Sequence, residues 1–157
     1  MKEIIVNDLI LYYDDPFRVL GEEETNQMKF YNDSQGICIR NDEEHMMVTV
    51  GTKQINGITN FLLFSKDLLN KTQEDIAHAM KPYGYTLSEY LTENADGQEI
   101  RGFVYEYEAE GKAMYGQAYV TKKDKVVYYL YLYVRKENKE NGLKLWKKII
   151  DGLKWKR

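Results

Sequence analysis

Metal or nucleophile chemistry in this chain would have to begin from very few side chains: His45, His78 and the single cysteine, Cys38. The two histidines are far apart in sequence, and neither belongs to a His-x-x-x-His pair or another zinc-ligand spacing. Each reads as a surface or helix-face histidine. Cys38 stands within Ile37-Cys38-Ile39, where a small buried hydrophobe is the expected role. Whether either histidine meets it in space is left open at this level. Carboxylates cluster at Asp14-Asp15, Glu22-Glu23-Glu24 and Asp42-Glu43-Glu44. Asp14-Asp15-Pro16-Phe17-Arg18 lacks the alternating ligands and glycine of a calcium loop, and a glycosidase-type carboxylate pair is defined by its separation in space. There is no Gly-x-Ser-x-Gly elbow, phosphate-binding loop or dinucleotide fingerprint. The expectation is a protein that is not an enzyme and holds no cofactor or metal.

Tyrosine is the functional side chain in excess, with 14 in the chain, and most of them fall between Glu99 and Arg135. That stretch reads as three antiparallel strands divided by turns at Glu110-Gly111-Lys112 and Lys122-Lys123-Asp124-Lys125, with β-branched and aromatic residues between them. Side chains alternate across a strand. Alternation assigns Val104, Met114, Gly116, Ala118, Val120, Val126, Tyr128, Leu130, Leu132 and Val134 to an aliphatic core face. The other face collects Phe103, Tyr105, Tyr107, Tyr115, Gln117, Tyr119, Tyr129, Tyr131 and Tyr133. Two roles suit such a face. A helix or the N-terminal segment covers it while the hydroxyls reach water, or it is a partner-binding face formed by Phe103, Tyr105, Tyr107, Tyr115, Tyr119, Tyr129, Tyr131 and Tyr133. Arg and Lys do not interleave it densely enough for nucleic acid.

The elements that must position this face are read outward from it. Ile4 to Tyr13 reads as one strand ending at the Asp14-Asp15-Pro16 turn. Met28–Tyr31 and Ile37–Arg40 read as a hairpin, and Met46–Thr52 as a further strand closed by a tight turn at Asn56-Gly57. Phe61-Leu62-Leu63-Phe64 is too short to type by periodicity. Thr72-Gln73-Glu74-Asp75 has capping-box spacing and predicts a helix over 72–81, ended by Pro82. A strand over 86–92 and a turn at Asn94–Gly97 lead into the meander. Leu143, Trp146, Ile149, Ile150 and Leu153 mark one face of a closing helix, capped by Asn138 or Asn141, with Lys147 and Lys148 off that face. Strands, helix, meander and closing helix without βαβ alternation make the chain α+β, an antiparallel β-sheet with helices packed on it.

Residues 1–157 suit a single domain. The net charge of -3 opposes a broad nucleic-acid footprint, while acidic groups gather early and Lys144 to Arg157 is basic. One cysteine excludes an internal disulfide and fits a reducing compartment. The N-terminus reads as neither signal peptide nor membrane span. Cytoplasmic location is the expectation, with an exported form whose leader has been removed left open.

The run Gly102-Phe-Val-Tyr-Glu-Tyr, the turn at Glu110-Gly111, Gln117-Ala-Tyr-Val, Lys125-Val-Val-Tyr-Tyr-Leu-Tyr-Leu, and the helix carrying Ile149-Ile150 before Leu153-Lys-Trp155 resemble the Mog1/PsbP-like superfamily. The resemblance covers about the C-terminal third, and Asp151-Gly152 departs from the small polar residue expected after the two isoleucines. It implies an α/β sandwich and a non-catalytic protein, since members include photosystem accessory subunits, a Ran-binding nuclear import factor and chaperones for secretion effectors. No residue role transfers. The expected function is a bacterial binding or accessory protein, an effector chaperone or an immunity-type protein, with a protein partner that could be a second copy in a homodimer. The alternative is a small-ligand carrier or weak enzyme with a pocket lined by Tyr105, Tyr119 and Tyr131.

Overall fold

Imperfect alternation between Ile4 and Tyr13 is the signature of two strands and a turn. In the computed structural model, which describes residues 1–21, 23, 24 and 35–157, Lys2–Val6 (β1) and Leu9–Tyr13 (β2) form a hairpin. Asn7, at φ 53°, takes the left-handed turn position that asparagine tolerates better than most residues. The single strand expected here is therefore two. The chain then passes a cis Asp15-Pro16 bond into Arg18–Val19 (β3), Gln35–Asn41 (β4) and Met46–Gln54 (β5). The strand expected at Met28–Tyr31 lies outside the described residues.

Asn56-Gly57 opens a helix instead of a tight turn. Gly57–Leu62 (α1) is capped by Asn56, whose Oδ1 accepts from the Thr59 amide at 2.7 Å. Ser65–Met80 (α2) begins well before Thr72. Thr72 sits mid-helix, donating its hydroxyl to the Leu68 carbonyl at 2.8 Å, so its spacing to Asp75 is not a capping box. Thr86–Ala95 (β6), Gln98–Ala109 (β7), Lys112–Lys123 (β8) and Val126–Arg135 (β9) follow as consecutive hairpins. Lys139–Asp151 (α3) and Lys154–Trp155 (β10) close the chain. Asn138 occupies the N-cap position of α3 without a side-chain capping bond.

Seven strands form one sheet in the order β3-β4-β5-β9-β8-β7-β6, and β1-β2-β10 form a second, smaller one. All observed pairings are antiparallel. The hairpin turns Asp96-Gly97, Glu110-Gly111 and Asp124-Lys125 each place both central residues at positive φ, the two-residue geometry whose twist matches the flanking strands. A two-residue turn pairs odd positions with even ones. Thus Phe103 faces Ala118, Tyr105 faces Gly116, and Gly116 faces Tyr133. Carrying one parity across the turns, as the sequence expectation does, inverts β8. Tyr115, Gln117 and Tyr119 lie with Val104 and Leu132 toward α3, while Met114, Gly116, Ala118 and Val120 lie toward α2.

Two cores result. On one side of the large sheet, Trp146, Ile149 and Ile150 of α3 pack with Leu9 and Leu11 of the small sheet against Val48, Leu130 and Leu132. On the other, Leu68, Leu69 and Met80 of α2 pack on Phe103, Tyr105 and Val127. Gly142 brings α3 close to β9, since a Cβ there would stand 2.9 Å from Val134 Cγ2. Trp146, stacked on Tyr119 at 6.1 Å, donates Nε1–H to Gln117 Oε1 at 2.9 Å, and Gln117 Nε2 donates to the Tyr115 hydroxyl at 2.7 Å. Lys147 and Lys148 stay exposed.

A Cβ on Gly116 would collide with the Tyr105 ring, reaching Cε1 at 2.8 Å, and that ring has no exposed direction in which to move. Gly116→Ala should cost about 1–3 kcal/mol in urea denaturation through overpacking, and Tyr105→Leu in the same chain should recover part of it. Additive losses would sink the steric account. Ile149→Ala should cost about 2–4 kcal/mol as a core truncation, and no loss beyond error would remove α3 from the aliphatic layer.

Candidate functional site

The eight aromatic residues expected to form one face are divided by the sheet. Phe103, Tyr105, Tyr107, Tyr129, Tyr131 and Tyr133 lie toward α2, and Tyr115 and Tyr119 lie toward α3. The six form a ladder of two rows of rings, one along β7 and one along β9. Phe103 and Tyr105 are 5.8 Å apart, Tyr105 and Tyr107 5.7 Å, Tyr129 and Tyr131 6.0 Å, and Tyr131 and Tyr133 6.5 Å. Beside this ladder the Tyr85 ring lies tilted against Tyr105 at 5.4 Å, and its hydroxyl accepts a hydrogen bond from Gln73 Nε2 of α2 at 2.9 Å. α2 is the cover for this face, so Phe103, Tyr105, Tyr107 and Tyr133 are buried, and Tyr129 and Tyr131 half-buried. A pocket lined jointly by Tyr105, Tyr119 and Tyr131 cannot form, because Tyr119 opens on the opposite side.

Burial raises the phenols of Tyr105 and Tyr133 well above the ordinary value, and those of Tyr107, Tyr119 and Tyr131 as well. The Tyr105 hydroxyl has no hydrogen-bond partner among the described residues. Cys38 is buried, and burial pushes its thiol up to about 12, far from thiolate reactivity. His45 and His78 are both exposed, one in the β4–β5 turn and the other in the last turn of α2. Among the described residues no three His, Cys, Asp or Glu side chains gather as a metal-holding group. The acidic runs are drawn into surface ion pairs: Asp14 with Lys148 at 2.8 Å, Asp15 with Lys2 at 2.9 Å, and Asp42 with Arg40 and Arg18. The Lys148 ammonium holds the Asp14 carboxyl below the usual range.

The feature that stands out from this closed body is α1 and the loop after it. Ile58, Phe61 and Leu62 follow helical spacing, and together with Phe64 they point outward at 75%, 79%, 62% and 68% exposure. Ile55 and Leu63 turn the other way, into the α2-side core. Lys122 of β8 reaches under the segment and donates to the carbonyls of Asn60 at 2.6 Å and Leu63 at 2.7 Å, supplying a cation where the helix leaves carbonyls unpaired. The Ile55 amide donates to the Lys125 carbonyl at 3.0 Å, which fixes the other end. Four large apolar side chains held together outward give a patch on the order of several hundred Å², a size at which patches on monomers are often functional. The signal was present in the sequence: an Asn N-cap followed by apolar residues at i, i+3 and i+4. Taking Asn56-Gly57 as a turn concealed it.

Two outcomes test the tyrosine layer. Tyr105→Phe removes an unpartnered buried hydroxyl and should leave stability unchanged or higher, by up to about 1–3 kcal/mol; a clear loss on denaturation would mean that the hydroxyl is satisfied. The raised phenols also set a pH dependence. Below about pH 10, the ordinary phenol value, folded and unfolded chains both hold these protons. Above it the unfolded chain releases protons that the folded chain keeps, so stability falls as pH rises. Melting temperature should therefore decline steeply above pH 10, and a flat profile there would contradict the burial.

No protein-family model and no curated protein matches the sequence. Solved structures do. Cyanobacterial PsbP (CyanoP) from Synechocystis sp. PCC 6803 superposes with a TM-score of 0.72 at 12% identity, covering 98% of this chain and 91% of that one. LpqN of Mycobacterium tuberculosis, described as involved in cell envelope biogenesis, gives 0.62 at 12% identity over 99% and 90% of the two chains. A Pseudomonas aeruginosa protein of unknown function, PA94, described as a putative regulator, gives 0.55 at 12% identity over 100% and 98%. At such identities shape is what is shared: this chain is built on the PsbP-like fold.

Proposed function

We propose that the protein is a non-catalytic binding or accessory protein that engages its partner through α1. The observation carrying this reading is the outward set Ile58, Phe61, Leu62 and Phe64, anchored from below by Lys122. Apolar side chains of this size gain free energy only when something removes them from water, roughly 25 cal/mol per Å² buried, and Lys122 ties the backbone so that the segment presents them. The roles of effector chaperone and immunity-type protein both consist of holding another macromolecule, and both fit an exposed docking segment. The PsbP-like neighbours support the accessory reading by fold. A cytoplasmic setting belongs to the proposal because the lone cysteine is free. Among the described residues no helix is long and apolar enough to cross a membrane. Dimerisation through the tyrosine ladder loses its motive, since α2 already covers the ladder.

A photo-crosslinking amino acid at position 61 tests this in cells. It should yield a discrete adduct that the same probe at Lys112, exposed in the β7–β8 turn at the far end of the sheet, does not. Phe61→Ser with Phe64→Ser should abolish partner engagement while shifting stability by no more than about 0.5 kcal/mol each, as for surface positions. Identical adducts from positions 61 and 112, or no adduct from 61 with either protein or lipid, would overturn the reading.

A further inference from the structure

We infer that α1 docks on the surface of a lipid bilayer bearing anionic headgroups, an inference that rests on α1 being the docking segment. Residues 54–65 contain no charged side chain in a chain that is 30% charged. Lysines surround that run. Lys53 precedes it and Lys66 follows it, both exposed; exposed Lys125 is held against Ile55 by the backbone bond, and Lys122 lies beneath. The carboxylates nearby are Asp67, beside Lys66, and Asp124, which pairs with Lys123 at 3.2 Å. Lys123 also lies 5.4 Å from the Trp155 ring, which brings the chain end to the same end of the molecule; there Asp96 pairs with Arg157 at 3.1 Å, so the cationic excess rests on the lysines around α1. The whole chain carries -3, so this end is locally cationic against an acidic background.

The occupant follows from shape and charge together. The patch is convex, with every one of its four apolar side chains more than half exposed. A protein partner would need a matching pocket, whereas the headgroup and acyl boundary adapts to an apolar helix face about 5–10 Å deep. A second copy docked symmetrically on α1 would set lysines against lysines. An anionic bilayer answers both demands, receiving Phe61, Phe64, Ile58 and Leu62 into the interface and the lysine collar at its charged surface.

Co-sedimentation of the full chain with phosphatidylcholine vesicles, with and without phosphatidylglycerol, tests the inference. Wild type should sediment with the phosphatidylglycerol vesicles, less so at high salt, and not with phosphatidylcholine alone. Phe61→Ser with Phe64→Ser should weaken binding at least about tenfold, and Lys53→Glu with Lys66→Glu and Lys125→Glu should do the same. Lys112→Glu should leave binding unchanged, and circular dichroism should show all variants folded. Absence of sedimentation at low salt, or full retention by the serine variant, overturns the bilayer. If vesicles fail while the probe at position 61 captures a discrete protein, the docking segment stands and the lipid falls. If the probe captures nothing and vesicles fail, both fall.

Discussion

A tyrosine ring lying flat on a β-sheet needs a neighbouring position with no side chain, and this fold is organised around meeting that demand twice. Gly116 lies beneath Tyr105 on the α2 side, and Gly102 leaves room for Tyr119 on the α3 side, where a Cβ would meet Tyr119 Cδ1 at 2.6 Å. Glycine in a strand interior is unfavourable on entropy alone. Here it is offset by two aromatic side chains lying flat, each then covered by a helix. The pairs cross between the same two strands in opposite directions, so they also fix the β7–β8 register: a slip by one residue would turn both tyrosines onto occupied positions.

Polar side chains extend this arrangement to the layers. Trp146 bonded to Gln117, with Gln117 bonded to Tyr115, leaves neither the indole N–H nor the amide unpaired inside the α3 core, where a lone polar group would be costly. At one end of the sheet Trp155 does the same work for the small sheet, donating Nε1–H to the Ala95 carbonyl at 2.8 Å. The Trp155 amide donates to Asp96 at 3.0 Å, which together with Arg157 holds that carboxyl below the usual range. The chain end is thereby stitched to the β6–β7 turn.

How much could be read from the sequence depended on whether the signal was local. The meander and α3 were legible because β-branched runs, turn residues and a helical apolar stripe lie within single elements. The face of β8 was not, because it depends on whether each turn holds two residues or more, and Lys122-Lys123-Asp124-Lys125 contains no glycine to mark its two central positions. α2 began earlier than expected because its first turns hold Leu68 and Leu69 without a side-chain cap. The division of the aromatic residues between two cores was a long-range fact, since Tyr115 and Tyr105 look alike in sequence and differ only in what their strand partners leave open.

α1 shows the same limit from the opposite direction. An apolar helical stripe normally predicts burial, and α1 has the stripe without the burial. The reason lies in β8: the α2-side face next to α1 is already filled by Leu68, Leu69 and the aromatic ladder, and Lys122 occupies the underside of the segment, where an ammonium satisfies two carbonyls at once. Ile55 and Leu63 take the remaining apolar contact. Turning Phe61 inward would displace that ammonium and leave both carbonyls and a lysine to be desolvated without partners, a cost of several kcal/mol by ordinary magnitudes. One lysine on a core strand thus decides the orientation of a segment some sixty residues upstream, and the outward helix is a consequence of a body that has no room left for it.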